Sequence, residues 1–217
     1  MNSVVVAKFG GSVIGVDGIS IPVIIQRINS LSKDAKVVAI FSAPLTVVEG
    51  KRRSLTDVAL ELGKRAEDGK AFDLIILRKT YEKILELVSS EFQEKCRTVI
   101  DGCLDMVRIE LEKAMEKKEF ADEVRSKTLA YSGEILMSYV MEYILQSQGI
   151  KSKVVGLDNW PIITDSNIES TNFLASESNK KVEFLERLLD ENQVITIGGF
   201  IGRTVDGVIT TYERGGS

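Results

Sequence analysis

Apolar positions along this chain fall into two rhythms, short β-branched runs and longer stripes at helical spacing, and the two alternate. Val4, Val5 and Val6 open the first run, a pattern suited to a buried strand, which leads through Lys8 into the paired glycines Gly10 and Gly11. Ile21, Ile24, Ile25, Ile28 and Leu31 then recur on one helical face. The spacing predicts a helix over 17–32, with Pro22 tolerable in its first turn. Lys36 to Phe41 is a second strand, closed by the turn signal Ser42-Ala43-Pro44. Strand, helix and strand in that order imply a parallel pair with a right-handed crossover. Both strands then end at one sheet edge, where open α/β proteins bind ligands, which makes Lys8 and Ser42 neighbours.

The segment 47–53 is polar and basic at its end and reads as a loop, after which Ser54-Leu55-Thr56-Asp57 opens a helix carrying Val58, Leu60 and Leu62. From Leu74 to Leu145 the pattern is almost wholly helical. Leu77, Tyr81, Ile84, Leu85, Val88 and Phe92 form one stripe; Cys96, Val99, Ile100, Cys103, Val107, Leu111 and Ala114 form a second. These predict a helical insertion of two hairpin-like helices over about 74–131, covering one side of the sheet or an interface. A further helix starts near Ser132, buries Leu136, Met137, Val140, Met141, Ile144 and Leu145, and stops at Gly149. Beyond it come a strand at Lys153 to Leu157, a helix over 180–190, a central strand from Gln193 to Ile197 running into the glycine-rich turn 198–202, and a short last strand within 207–212.

Charge and composition remove several function classes. The 28 basic and 32 acidic residues give a net charge of -4, spread along the chain, which argues against nucleic acid or an anionic membrane as the main partner. No apolar run reaches the roughly 20 residues that span a bilayer, and the N-terminus lacks a leader pattern, so a cytoplasmic protein is expected. Histidine is absent. Ser-His and Cys-His catalysis are thereby excluded, and two cysteines with carboxylates alone make a poor zinc set, so no metal site is expected. Cys96 and Cys103 read as small core residues.

The candidate chemistry starts at Lys8, with Gly10, Gly11 and Ser12 able to turn backbone N–H groups toward an anion. Neither a P-loop nor a dinucleotide fingerprint is present, so any phosphate grip is of another type. Taken locally, each feature also has a plain reading. Lys8 beside two glycines suits a solvated turn, Ser42 a turn hydroxyl, Ser54 or Thr56 a helix cap, and Ser132 with Glu134 a capped helix start.

Four segments together change that balance. Lys8-Phe9-Gly10-Gly11-Ser12, Ser132-Gly133-Glu134, Gly199-Phe200-Ile201-Gly202, and Thr210-Thr211 followed by Arg214-Gly215-Gly216-Ser217 resemble, in order and spacing, the aspartate kinase family. The resemblance implies an α/β fold of the amino-acid-kinase type, a three-layer αβα sandwich with a mainly parallel sheet. It also implies transfer of a phosphoryl group from MgATP to the side-chain carboxylate of L-aspartate, with ATP and Mg2+ as cofactors. On the matching positions, Lys8 would neutralise the transferring phosphoryl group, and Gly10, Gly11, Ser12 and Gly199 would face phosphate. Ser42 and Thr56 would line the amino-acid pocket, Glu134 would hold the substrate ammonium, and Phe200 would lend backbone beside it. Arg214 would bind a substrate carboxylate from the same loop as Ser217. Glu213 and Tyr131 depart from the family pattern, which has glycine and serine there. By the same resemblance, residues 1–217 correspond to the N-terminal part of the catalytic domain, without the nucleotide-binding half and regulatory domains. A homodimer or a complementing C-terminal portion is the expected partner. A catalytically incomplete aspartate-binding or partner subunit, and another kinase of the same fold, remain as alternative functions.

Overall fold

The computed structural model describes residues 3–213. The chain opens with β1 (Val4–Phe9), one turn of helix α1 (Gly11–Ile14), then α2 (Ile21–Leu31) and β2 (Lys36–Phe41). The helix predicted from Asp17 begins only at Ile21, because Asp17 and Gly18 both take left-handed conformations, φ 51° and 75°, that no α-helix accommodates. The predicted loop 47–53 is a hairpin, β3 (Leu45–Val48) and β4 (Lys51–Ser54). Its two-residue turn, Glu49-Gly50, has positive φ at both positions, 49° and 76°, the twist that lets two short strands pair.

The long helical stretch resolves into α3 (Leu55–Glu67), α4 (Ile75–Leu85), α5 (Ser90–Lys117), α6 (Asp122–Ser132) and α7 (Glu134–Ser147). The first stripe becomes the buried face of α4 only as far as Leu85, since that helix stops there and leaves Val88 in the linker and Phe92 in the first turn of α5; the second becomes the buried face of α5, which ends where Lys118 turns left-handed. The prediction of two helices over 74–131 misses α6. Its buried residues include Ser126, Thr128, Ala130 and Ser132, small and polar side chains that leave no apolar stripe to read. Cys96 and Cys103 are buried free thiols, both pushed up to about 12 by burial.

After β5 (Ser152–Val154) come β6 (Ile163–Thr164), α8 (Ala175–Asn179), α9 (Val182–Glu191), β7 (Val194–Gly198), β8 (Ile201–Thr204) and β9 (Ile209–Thr211). The glycine-rich turn 198–202 thus closes within three residues and continues as a strand. Gly202 sits there because a Cβ would fall 2.4 Å from the Thr164 methyl on neighbouring β6.

The central sheet is parallel in the order β1-β2-β7-β5, and a second sheet has the order β6-β8-β9. On one face Val37, Ala39 and Phe41 join the core built with α2 and α7, behind which α5 packs; on the other, Ile195 and Ile197 pack with Trp160, Leu189 of α9, and Ile201 and Ile209 of the second sheet. The result is an α/β fold with the parallel sheet as its middle layer. The register sets Phe9 beside Phe41 and Phe41 beside Gly198, so β1, β2 and β7 end together.

Candidate functional site

A cavity of about 490 Å³ opens at that common edge. Lys8, Ser42, Thr56, Glu134 and Phe200, which the sequence places in five separate segments, all line it. Lys8 precedes the last residue of β1, Ser42 follows β2, and Phe200 follows β7, so the sheet register itself gathers three of them. Ser54 caps α3 by accepting the Asp57 N–H at 3.0 Å, and Thr56 in the first turn of that helix faces the cavity.

Glu134 comes from the break between α6 and α7. The break is tightly packed: a Cβ on Gly133 would meet the Ala43 Cβ at 2.8 Å, and one on Gly198 would meet the Glu134 carbonyl oxygen at 2.9 Å. Only glycine admits β2 and β7 this close to the start of α7. The Tyr81 hydroxyl, fully buried, reaches the carbonyls of Ser132 and Gly133 at 3.2 and 3.1 Å and so fixes the backbone just ahead of Glu134. The Ala43 N–H donates to Glu134 Oε1 at 3.3 Å, whereas Oε2 is buried without a hydrogen-bond partner among the described residues. Burial pushes the carboxyl up to about 7, against the pull of the backbone N–H groups. A carboxylate so placed wants a cation, and the open cavity is where one enters.

The outer wall is polar. Arg125 on α6 pairs with Glu169, whose other oxygen accepts the Asp122 N–H at 2.9 Å. Glu169 rides on a loop, residues 165–172, ordered around Asp165. That carboxylate accepts from Asn172, Asn167 and Thr171 and is held down to about 2 by these bonds, the Asn172 side chain first. The loop also joins β9, the Thr211 N–H donating to Ile168 O at 2.7 Å and the Ser170 hydroxyl to Glu213 at 2.9 Å. Phe200 adopts a left-handed φ of 65°, a conformation rare for an aromatic residue, while its carbonyl accepts the Tyr212 N–H at 3.0 Å.

Gly10, Gly11, Ser12 and Gly199 do not line this cavity. Gly10 is the N-cap position of α1, and a Cβ on Gly11 would lie 2.5 Å from Ala43 O. The Gly199 N–H donates to Phe41 O at 2.8 Å. Arg214 and Ser217 lie outside the described residues. Sequence reasoning passed over Ser54, Arg125, Glu169 and Tyr212 as site residues. Arg125 and Leu129 share a helical face leading toward Glu134, a signal that the misread of α6 concealed. Nothing local marks Glu169. Among the described residues no three His, Cys, Asp or Glu side chains gather as a metal site, and no helix is long and apolar enough to cross a membrane.

Comparisons with known proteins follow the same lines. The model of the amino acid kinase family matches residues 3–217. The bifunctional aspartokinase/homoserine dehydrogenase of Buchnera aphidicola subsp. Acyrthosiphon pisum (strain APS) is 26% identical over 138 residues, 63% of this chain and 15% of that protein. E. coli aspartokinase III in complex with aspartate and ADP superposes with a TM-score of 0.72 at 18% identity, over 99% of this chain and 44% of that one. Clostridium acetobutylicum aspartate kinase gives a TM-score of 0.64 at 20% identity, over 98% and 42%. The chain therefore spans less than half the length of the aspartokinases it matches.

Proposed function

The chain belongs to the amino acid kinase family, and we propose that its cavity is an L-aspartate site for phosphoryl transfer from MgATP to the substrate's side-chain carboxylate. The observation that carries this reading is Glu134 Oε2, buried and, among the described residues, without a hydrogen-bond partner, in a cavity that Lys8 also lines. An amino dicarboxylate complements that arrangement, its ammonium meeting Glu134 and its acidic end directed to Lys8 and the hydroxyls of Ser42 and Thr56. The structures of E. coli aspartokinase III with aspartate supply the analogy.

The proposed reaction needs no general base, because the attacking carboxylate is ionised at neutral pH. A chain without histidine is therefore not disadvantaged. The requirement is electrostatic: two anions must be held together in line, and Lys8 offsets the charge that the transferring group spreads over its oxygens. Magnesium is assigned to the nucleotide phosphates, the usual partners of this ion in phosphoryl transfer. The same reading takes the cytoplasm as the setting and a homodimer or a complementing C-terminal portion as the assembly.

Calorimetric titration with L-aspartate, with L-glutamate as control, tests the substrate. Saturable binding of aspartate alone is expected, and equal binding or none removes aspartate from the site. Transfer is read as hydroxylamine-trapped acyl phosphate in the complete protein, where Lys8→Ala should lower turnover by about 10²- to 10³-fold. Unchanged turnover takes Lys8 out of the mechanism.

A further inference from the structure

An amino dicarboxylate asks for a cation at each acidic end, and the described residues that line the cavity supply two. Among the described residues Lys8 and Arg125 stand against Glu134, Glu169 and Glu213. Arg125 is moreover occupied, its guanidinium resting on the Glu169 carboxylate. That pair differs from a structural ion pair in two respects. Both side chains keep about a third of their surface exposed, 36% and 32%, so parting them leaves neither charge stranded in a dry interior. Glu169 also retains the Asp122 N–H when Arg125 leaves, and its loop stays anchored through the Ser126 hydroxyl and the Thr211 N–H, both bonded to Ile168 O. One partner is bolted down and the other is a long, flexible arm on the wall that leads to Glu134.

We propose that Arg125 is a carboxylate receptor of the site, with Glu169 holding its guanidinium in the empty protein in place of the α-carboxylate of the amino-acid substrate. The inference rests on the reading of the cavity as an amino dicarboxylate site. On binding, the guanidinium passes from one carboxylate to another of the same geometry, so the fork that fits Glu169 also selects the ligand. Glu169 then acts as a competitor, and its strength sets how much affinity the arginine delivers.

This makes a prediction of opposite signs. In calorimetric titrations of the chain, Arg125→Gln weakens L-aspartate binding by about 10- to 100-fold, the range for a lost charge-assisted contact. Glu169→Gln, which keeps an oxygen for the Asp122 N–H, tightens it several-fold. L-Aspartic acid α-amide, which lacks the α-carboxylate, binds both variants and the parent protein alike. Melting temperatures taken alongside establish that each variant is folded. If both variants weaken aspartate equally, or neither changes it, the pair is a structural latch and the proposal fails. A loss seen with ATP or inorganic phosphate but not with aspartate reassigns the arginine to phosphate and overturns it as well. Absence of aspartate binding by the parent protein brings down the functional reading itself, an outcome distinct from a bound ligand that ignores Arg125.

Discussion

The helical wall behind Glu134 and the loop 165–172 border the same cavity and hold carboxylates in opposite ways. Glu134 is enclosed by α4, α7, β2 and β7 with, among the described residues, one hydrogen bond and one unpartnered oxygen, and its pKa rises to about 7. Asp165 is exposed enough to be hydrated yet collects side-chain and backbone donors from Asn172, Asn167 and Thr171, and its pKa falls to about 2. Burial alone does not explain the contrast, because Glu142 is also buried and is satisfied by Val154 N–H, Gln146 and Lys153. What sets Glu134 apart is burial with an acceptor left over. The wall withholds a partner that a ligand can supply; the loop completes its own bonding and acts as a scaffold.

The contrast can be broken most sharply at Glu134. Replacement by Gln removes the charge that receives an ammonium and should weaken L-aspartate by about 10²-fold or more, read by titration, with little loss of fold. The next test is pH. Its folded pKa of about 7 lies above the reference 4.5, so the stability that neutral Glu134 confers is fully present below about 4.5 and is lost as pH rises through 7. Denaturant titrations of the ligand-free protein should lose roughly 3 kcal/mol across that window, a slope that Glu134→Gln abolishes. Aspartate affinity runs the other way. It should rise about tenfold per pH unit up to roughly 7 and then level off, since the ammonium needs the ionised carboxylate.

Two smaller effects sharpen the same distinction. Tyr81→Phe takes the buried hydroxyl from the Ser132 and Gly133 carbonyls, of which Gly133 keeps the Met137 N–H, and should cost about 1–3 kcal/mol in denaturant unfolding, with a weaker grip on the ligand because Glu134 is no longer fixed. Asp165→Ala dismantles the loop's hydrogen bonds, and the smallest loss of melting temperature in this series is expected there. For the native chain the sign is the reverse of Glu134: the contribution of Asp165 is present above about 4 and fades as pH falls toward 2.

Much of this architecture was legible in the sequence because it follows from periodicity. The runs at Val4, Lys36 and Val194 are the strands that gather Lys8, Ser42 and Phe200, and the stripes at Leu77 and Cys96 mark α4 and α5, but the Val4 run is not the buried strand expected, because β1 forms the sheet edge and leaves Val4 and Val6 exposed. What escaped was structure without an apolar rhythm. Helix α6 is enclosed by neighbours and lined with small polar residues, β8 was hidden behind two glycines needed for close packing, and the hairpin at Glu49 depends on backbone angles. Arg125 and Glu169 escaped for a further reason, since a pair that far apart along the chain meets only through the docking of the loop on α6.

The two cysteines have a practical consequence. Both thiols are buried along α5 and held at about 12, so an alkylating reagent finds almost no thiolate on the folded chain at neutral pH. A cysteine introduced at Ser166, on the exposed surface of the polar loop, would carry a fluorescent label at one known position without first stripping the native residues. Conversely, slow modification of Cys96 and Cys103 themselves serves as a clock, each labelled molecule marking one opening of the α5 core.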